Sequence, residues 1–78
     1  MNQLSIRTTF DNDGYADSHE IKYGQYKLLA NDYNQYASQI KVWDKNKNCV
    51  LRTILYTPIH EVKHTTLKIL LISAIDSQ

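Results

Sequence analysis

The stretch His60-Glu61-Val62-Lys63-His64 has residue types and a spacing that could bind and use a metal ion. On a helix, His60 and His64 would project from the same side, so that both imidazoles could bind one zinc ion. Glu61 would then be the general base that acts on a metal-bound water. In this interpretation the protein is a zinc-dependent hydrolase.

This spacing resembles that of the zincin metalloproteases, and the resemblance covers these five residues alone. A catalytic zinc needs a third protein ligand, and downstream of His64 the only candidate is Asp76. Lys63 adds a cation beside the proposed ligands, and a chain of 78 residues is too small to build a substrate cleft and also bury a core. We therefore predict no catalytic residue, no metal and no cofactor, and keep a zinc-binding hydrolase as the second alternative function.

The composition predicts one small globular domain over residues 1–78, because 42 % of the residues are apolar and glycine and proline are scarce. The formal net charge is +1, with an acidic segment at residues 1–20 and a mildly basic one at residues 21–68. Cys49 is the only cysteine and has apolar neighbours, so we expect a buried thiol in a reducing cytoplasm.

No signal peptide is expected, because the N-terminus lacks a basic start followed by an apolar run. The longest apolar stretch, Leu67 to Ile75, is far shorter than the ~20 residues that a membrane helix needs. The prediction is a cytoplasmic protein with no membrane partner.

The N-terminal segment predicts one strand followed by a short helix. Apolar and polar residues alternate from Leu4 to Phe10, as in a half-buried strand, and a turn follows at residues 11–14. Asp17 and Glu20 have the spacing of a capping box, so a short helix is expected from Ser18.

Residues 18–38 are compatible with two structures. Their apolar spacing suits one long helix, but Gly24 and the cluster at residues 31–34 are poor in helices. The alternative, which we prefer, is a hairpin with strands at Gln25 to Ala30 and Tyr36 to Trp43.

The C-terminal half predicts a buried strand and a helix. Cys49 to Tyr56 is rich in β-branched and aromatic residues, and Pro58 to Ile75 has helical spacing, although residues 67–75 would also suit a strand. The expected fold is α+β: an antiparallel meander sheet of three to four strands with a C-terminal helix packed on one face. The residues expected in its core are Leu51, Ile54, Leu55, Val62, Ile69 and Leu70.

Tyrosine is the unusual feature of the composition, with six tyrosines against one phenylalanine and one tryptophan. Tyrosine offers a large contact area with a polar tip and is enriched in binding surfaces. The predicted protein-binding residues are Tyr23, Tyr26, Tyr33 and Tyr36, with Lys45 and Lys47 as rim charges. Because consecutive turns of a meander lie at opposite ends, the tyrosines and the lysines are alternative patches.

These features favour a non-catalytic protein-binding module that inhibits or sequesters a larger host protein or protein complex. Small single-sheet proteins of phage and mobile elements that act against host defence, including anti-CRISPR proteins, are similar in size and layout. The alternative is a nucleic-acid-binding accessory protein that uses tyrosines and lysines, although the low net charge does not favour it. The sequence is also compatible with a homodimer.

Overall fold

A computed structural model of the protein describes residues 3–78 and shows an antiparallel meander of five strands followed by two helical segments. The strands are β1 (Leu4–Phe10), β2 (Ala16–Tyr23), β3 (Tyr26–Asn34), β4 (Ala37–Trp43) and β5 (Cys49–Leu55). A 3₁₀ helix at Ile59–Glu61 precedes the helix α1 (His64–Asp76). The strands pair in chain order, so the predicted meander and C-terminal helix are confirmed, with five strands in place of three to four.

The additional strand is β2, which occupies the segment where a short helix was predicted from Ser18. Asp17 does not cap a helix, because its carboxylate accepts a hydrogen bond from the Thr9 hydroxyl on β1. Glu20 instead forms ion pairs with Lys22 and Lys27. The helix prediction was therefore wrong: the same polar side chains bridge strands here.

The hairpin preferred for residues 18–38 is confirmed by β3 and β4, and the long helix is excluded. The side-chain oxygen of Asn34 accepts a hydrogen bond from the Tyr36 backbone N–H at 2.8 Å, which stabilises the turn between the two strands. The pairing is irregular between Asp32 and Asn34, so Tyr33 lies at a bulge.

The C-terminal helical segment is divided in two, whereas the sequence predicted one helix from Pro58 to Ile75. Val62 and Lys63 are extended, with ψ angles of 127° and 144°, and separate the 3₁₀ helix from α1. Residues 67–75 are helical, which settles the alternative of a strand there.

One buried cluster joins the sheet to the helical segments. Its members are Ile21, Leu28, Ala30, Ile40, Val42, Ile59, Val62, Leu67, Leu71 and Ala74. Val62 is buried as predicted, whereas Leu51, Leu55 and Leu70 are only partly buried and pack against the cluster.

Three other burial predictions were wrong. Ile69 is 65 % exposed, because α1 buries the stripe Leu67, Leu71 and Ala74 instead. Ile54 is only partly buried. It pairs with Gln39 of β4, and both side chains lie on the sheet face that points away from the buried cluster. Cys49, expected to be a buried thiol, is exposed at the start of the edge strand β5.

Candidate functional site

The exposed aromatic side chains lie at one end of the sheet. In an antiparallel meander alternate turns fall at the same end, so the β1–β2 turn, the β3–β4 turn and the C-terminal end of β5 lie together. The exposed aromatic residues are Phe10, Tyr15, Tyr33, Tyr36 and Tyr56, and all five belong to these segments. The remaining aromatic residues of the described chain are not exposed and lie at the opposite end: Tyr23, Tyr26 and Trp43.

Two of the three segments at this end are acidic. Residues 9–18 and 31–38 contain Asp11, Asp13, Asp17 and Asp32 and no lysine or arginine. We call these four aspartates and the five exposed aromatic residues the acidic aromatic end. It extends over the width of the sheet, which is about 20 Å for five strands spaced ~4.8 Å apart.

Tyr15 is held in place from two sides. The Asp11 carboxylate accepts hydrogen bonds from the backbone N–H groups of Asp13 and Tyr15, both at 2.9 Å, and Gly14 closes the turn with a φ of +87°. The Tyr15 ring also meets the His60 ring edge to face, with centroids 5.5 Å apart. The turn therefore presents Tyr15 in a defined orientation.

The structure separates the four tyrosines that the sequence analysis grouped together. Tyr33 and Tyr36 belong to the acidic aromatic end, whereas the other predicted residues lie at the opposite end of the sheet: Tyr23, Tyr26, Lys45 and Lys47. Tyr23 and Tyr26 are paired across the β2–β3 hairpin and pack against the core cluster. The sequence analysis did not include three other exposed aromatic residues, Phe10, Tyr15 and Tyr56, among the candidates. The signal that could have identified them is their position at strand ends that the meander brings to the same end of the sheet.

The face of the sheet that points away from the buried cluster carries a row of charged residues. Strand register places Arg7 opposite Glu20, and Lys41 opposite Arg52, with Leu29 between the two pairs. The neighbouring row contains Lys22, Lys27 and Trp43. We call these eight residues the basic face; it has five cations and one carboxylate.

Contacts within the basic face order its side chains. The Glu20 carboxylate, with a side chain only 18 % exposed, lies 3.5 Å from the Lys27 ammonium and 3.8 Å from that of Lys22. The same Lys27 ammonium lies 5.9 Å from the centre of the Trp43 ring, in a cation–π contact.

A third group of polar side chains connects the sheet to the start of α1. The Thr8 hydroxyl lies 3.0 Å from His19 Nδ1 and 3.3 Å from His64 Nε2, and the two histidine nitrogens are 3.2 Å apart. We call Thr8, His19 and His64 the histidine triangle. Thr8 and His19 are paired residues of β1 and β2, and His64 is the first residue of α1.

His19 is one of two buried polar residues of the described chain. Its Nε2 atom is buried without a hydrogen bond of good geometry. Burial lowers the pKa of His19 below its usual value of 6.5. The backbone of Ile59 acts in the other direction and raises this pKa, whereas the nearby His64 lowers it further. The ring is therefore held in its neutral form near pH 7.

The residues of the zinc-protease spacing do not come together. His60 and Glu61 lie in the 3₁₀ helix, with His60 Nε2 4.0 Å from the Glu61 carboxylate, while His64 contacts His19 instead. Among residues 3–78, no three or more His, Cys, Asp or Glu residues lie together in a metal-binding arrangement. Two histidines four residues apart share a helix face only if the chain between them is helical, and here it is extended.

No protein-family model matches the chain, and neither the curated proteins nor the solved structures contain a significant match to it. Within the described residues, α1 and the 3₁₀ helix are both too short to span a membrane.

Proposed function

We propose that the protein is a non-catalytic binding module whose acidic aromatic end docks on a basic surface of a larger protein and blocks it. The observation that supports this proposal is the segregation of aromatic residues. All five exposed ones lie at one end of the sheet, with side chains between 59 and 86 % exposed.

The physical argument rests on how protein interfaces gain their energy. A few aromatic anchors, surrounded by polar residues that exclude water, supply most of the binding energy. Three candidate anchors are Tyr33 at the bulge of β3, Tyr36 in the β3–β4 turn and Tyr56 directly after β5. All three are already exposed and need no rearrangement to become accessible.

Charge complementarity favours one class of partner. The acidic aromatic end has four carboxylates and no cation, so it favours a positively charged surface and accelerates encounter with it. Proteins that handle nucleic acids have such surfaces. The sequence analysis predicted a specific form of this function. In that form a phage or mobile-element factor inhibits a host defence protein of this kind, as anti-CRISPR proteins do.

Affinity capture from a host lysate, followed by quantitative mass spectrometry, tests the proposal. The wild-type protein is compared with a Tyr33→Ala/Tyr36→Ala variant and with a Lys45→Ala/Lys47→Ala control, which alters the opposite end. A partner of the proposed kind is captured by the wild type and by the lysine control and is lost from the tyrosine variant. Equal capture by all three proteins would contradict binding through the acidic aromatic end.

A second candidate function, binding of single-stranded nucleic acid, is favoured by the basic face. The sheet face that points away from the buried cluster carries five cations and an aromatic ring, Trp43, which lies 5.9 Å from the Lys27 ammonium. Cations that follow the phosphates and a ring on which a base can stack are the two elements of single-strand platforms.

Fluorescence anisotropy with a labelled single-stranded oligonucleotide tests this second function. If about five phosphates are neutralised, the logarithm of the binding constant should fall with the logarithm of the salt concentration with a slope of about −3.5. Lys41→Ala should weaken binding and make that slope shallower, whereas Lys63→Ala, at the start of α1 and outside the basic face, should change neither. Absence of binding at low salt would exclude this function.

A further inference from the structure

We propose that the protein forms a symmetric homodimer in which the outer edge of β1 pairs with β1 of a second copy, and the side of α1 next to that edge is covered. The proposal is independent of both functions above, because it concerns an edge of the sheet and not its acidic aromatic end or its basic face.

The strand β1 has an open outer side. It comes first in the strand order, so among residues 3–78 no strand pairs with that side. The seven residues Leu4–Phe10 give an edge ~24 Å long that contains no proline and only one charged residue, Arg7. Short length, proline and charge are what keep an exposed edge from pairing, and β1 has little of each. It is therefore suited to pairing with a further strand.

An apolar groove of about 330 Å³ lies where α1 meets this edge. Leu4 and Tyr23 line its sheet side, and a stripe of α1 lines the other side: Lys68, Leu71, Ile72, Ile75 and Asp76. Leu4 is 44 % exposed and Ile72 is 57 % exposed, although both are apolar. Backbone pairing alone buries little apolar surface, and the groove supplies the apolar part that a stable interface needs. The open edge and the groove thus form one surface.

The sequence of β1 is compatible with antiparallel pairing to its own copy. Residues opposite each other in such a pair point to the same face of the sheet, and Ile6 is on the core side because it packs against the buried cluster. A two-fold axis at Ile6 places this residue opposite its own copy and Leu4 opposite Thr8 of the second copy, all on the core side. The same register places Arg7 opposite Ser5, so that no like charges meet.

The charges beside the groove favour a second copy of this chain as its occupant. Lys68 and Asp76 lie about two turns apart on the same stripe of α1. The two-fold axis that pairs the strands also reverses the direction of the second α1, so Lys68 of each copy lies toward the Asp76 end of the other. A symmetric dimer therefore gains this match of opposite charges twice, with the apolar Ile72 between them.

The dimer has one continuous sheet of ten strands, five from each copy. Antiparallel pairing directs the two acidic aromatic ends in opposite directions and leaves both accessible, and it places the two basic faces on the same side of the sheet. The dimer is consequently bivalent for a partner that binds at either surface.

Sedimentation velocity over a range of protein concentrations, at low and at high salt, tests the proposal. We expect a monomer–dimer equilibrium that persists at high salt, because its main contacts are backbone hydrogen bonds and apolar side chains. Association between the acidic aromatic end of one copy and the basic face of another would be lost at high salt, since it depends on charge. A protein that is monomeric at every concentration, or a dimer that salt dissociates, overturns the proposal.

Substitutions in the groove make the assignment specific. Ile72→Glu alters an exposed residue, so the monomer should keep its circular dichroism spectrum and melt close to the wild type, while the dimer dissociation constant rises by about tenfold or more. Tyr36→Glu is the matched control: it also introduces a carboxylate at an exposed residue, but at the acidic aromatic end, and should dimerise as the wild type does.

A charge exchange tests the match between the two helices. Lys68→Glu should weaken the dimer several-fold, and the double variant Lys68→Glu/Asp76→Lys, which exchanges the two charges, should restore it. The proposal is overturned if Ile72→Glu dimerises as tightly as the wild type, if Tyr36→Glu abolishes the dimer, or if the double variant dimerises no more tightly than Lys68→Glu.

Discussion

The rings of His19 and His64 meet edge to face, with centroids 4.9 Å apart and planes at 84°, although 45 residues separate them in the chain. The contact attaches the first residue of α1 to the second strand. It also places a titratable ring in a buried position, where protonation is unfavourable because the charged form loses its water.

We therefore predict that the protein loses stability when the pH falls below about 6.5. Burial lowers the pKa of His19 in the folded state, so the unfolded chain takes up the proton first as the pH decreases. Above pH ~6.5 the ring is neutral in both states and contributes no pH dependence; below it, the unfolded state binds more protons and gains free energy relative to the folded state.

Urea denaturation in the presence of a chelator, at several pH values between about 5 and 7.5, measures this effect. His19→Gln should make the dependence of the unfolding free energy on pH shallower, whereas the exposed His60→Gln should leave it unchanged. An equally steep dependence in His19→Gln would assign the pH effect to other groups.

The second prediction concerns the core and uses two residues of α1. Leu67 is fully buried and Ile69 is 65 % exposed. Leu67→Ala should therefore destabilise the protein by ~2–5 kcal/mol, whereas Ile69→Ala should change stability by less than about 0.5 kcal/mol. Thermal or urea denaturation measures both, and equal losses in the two variants would show that α1 buries a different stripe.

The failure to predict Ile69 and β2 correctly from the sequence has specific physical causes. The second half of α1 is apolar nearly all round, so helical periodicity alone did not determine which stripe is buried. In β2 the polar residues Asp17 and Glu20 suit a helix start equally well, and only their cross-strand partners show that they belong to a strand. By contrast, the alternation over Leu4–Phe10 and the turn chemistry of Asn34 are local signals, and both were predictive.

The candidate sites were predictable to different degrees. Tyr33 and Tyr36 were identified because tyrosines at a turn are exposed, and their exposure is confirmed. Tyr15 and Tyr56 required knowledge of the number of strands, since one strand more or fewer moves a turn to the other end of the sheet. No spacing rule relates His19 to His64, because their contact depends on how α1 meets the sheet.

The third prediction concerns the turn that presents Tyr15. Gly14 has a φ of +87°, and a Cβ built there meets no atom within 4 Å, so its substitution has a backbone cost but no steric clash. Gly14→Ala should destabilise the protein by ~1–2 kcal/mol, and Gly14→Asn by less, because asparagine tolerates this region better. Denaturation of the two variants measures the difference; a larger loss for Gly14→Asn would contradict the backbone explanation.

The last prediction separates the two proposed functions through Glu20, the single carboxylate of the basic face. Its oxygens lie 3.5 and 3.8 Å from the ammonium groups of Lys27 and Lys22, and strand pairing places it opposite Arg7. Glu20→Gln keeps the size of the side chain and removes its charge. Lys22 and Lys27 are then free to contact phosphates, so oligonucleotide binding should tighten several-fold and its salt dependence should become steeper by about one unit of slope.

Asp76→Asn is the matched control, because it changes the net charge equally but lies at the end of α1, outside the basic face. Both variants should remain folded, since ion pairs with exposed lysines contribute less than about 1 kcal/mol each. Tighter binding in Glu20→Gln alone places the nucleic acid on the basic face. An equal gain in both variants reflects net charge only and contradicts a defined site there, and no gain in either contradicts nucleic-acid binding through the basic face.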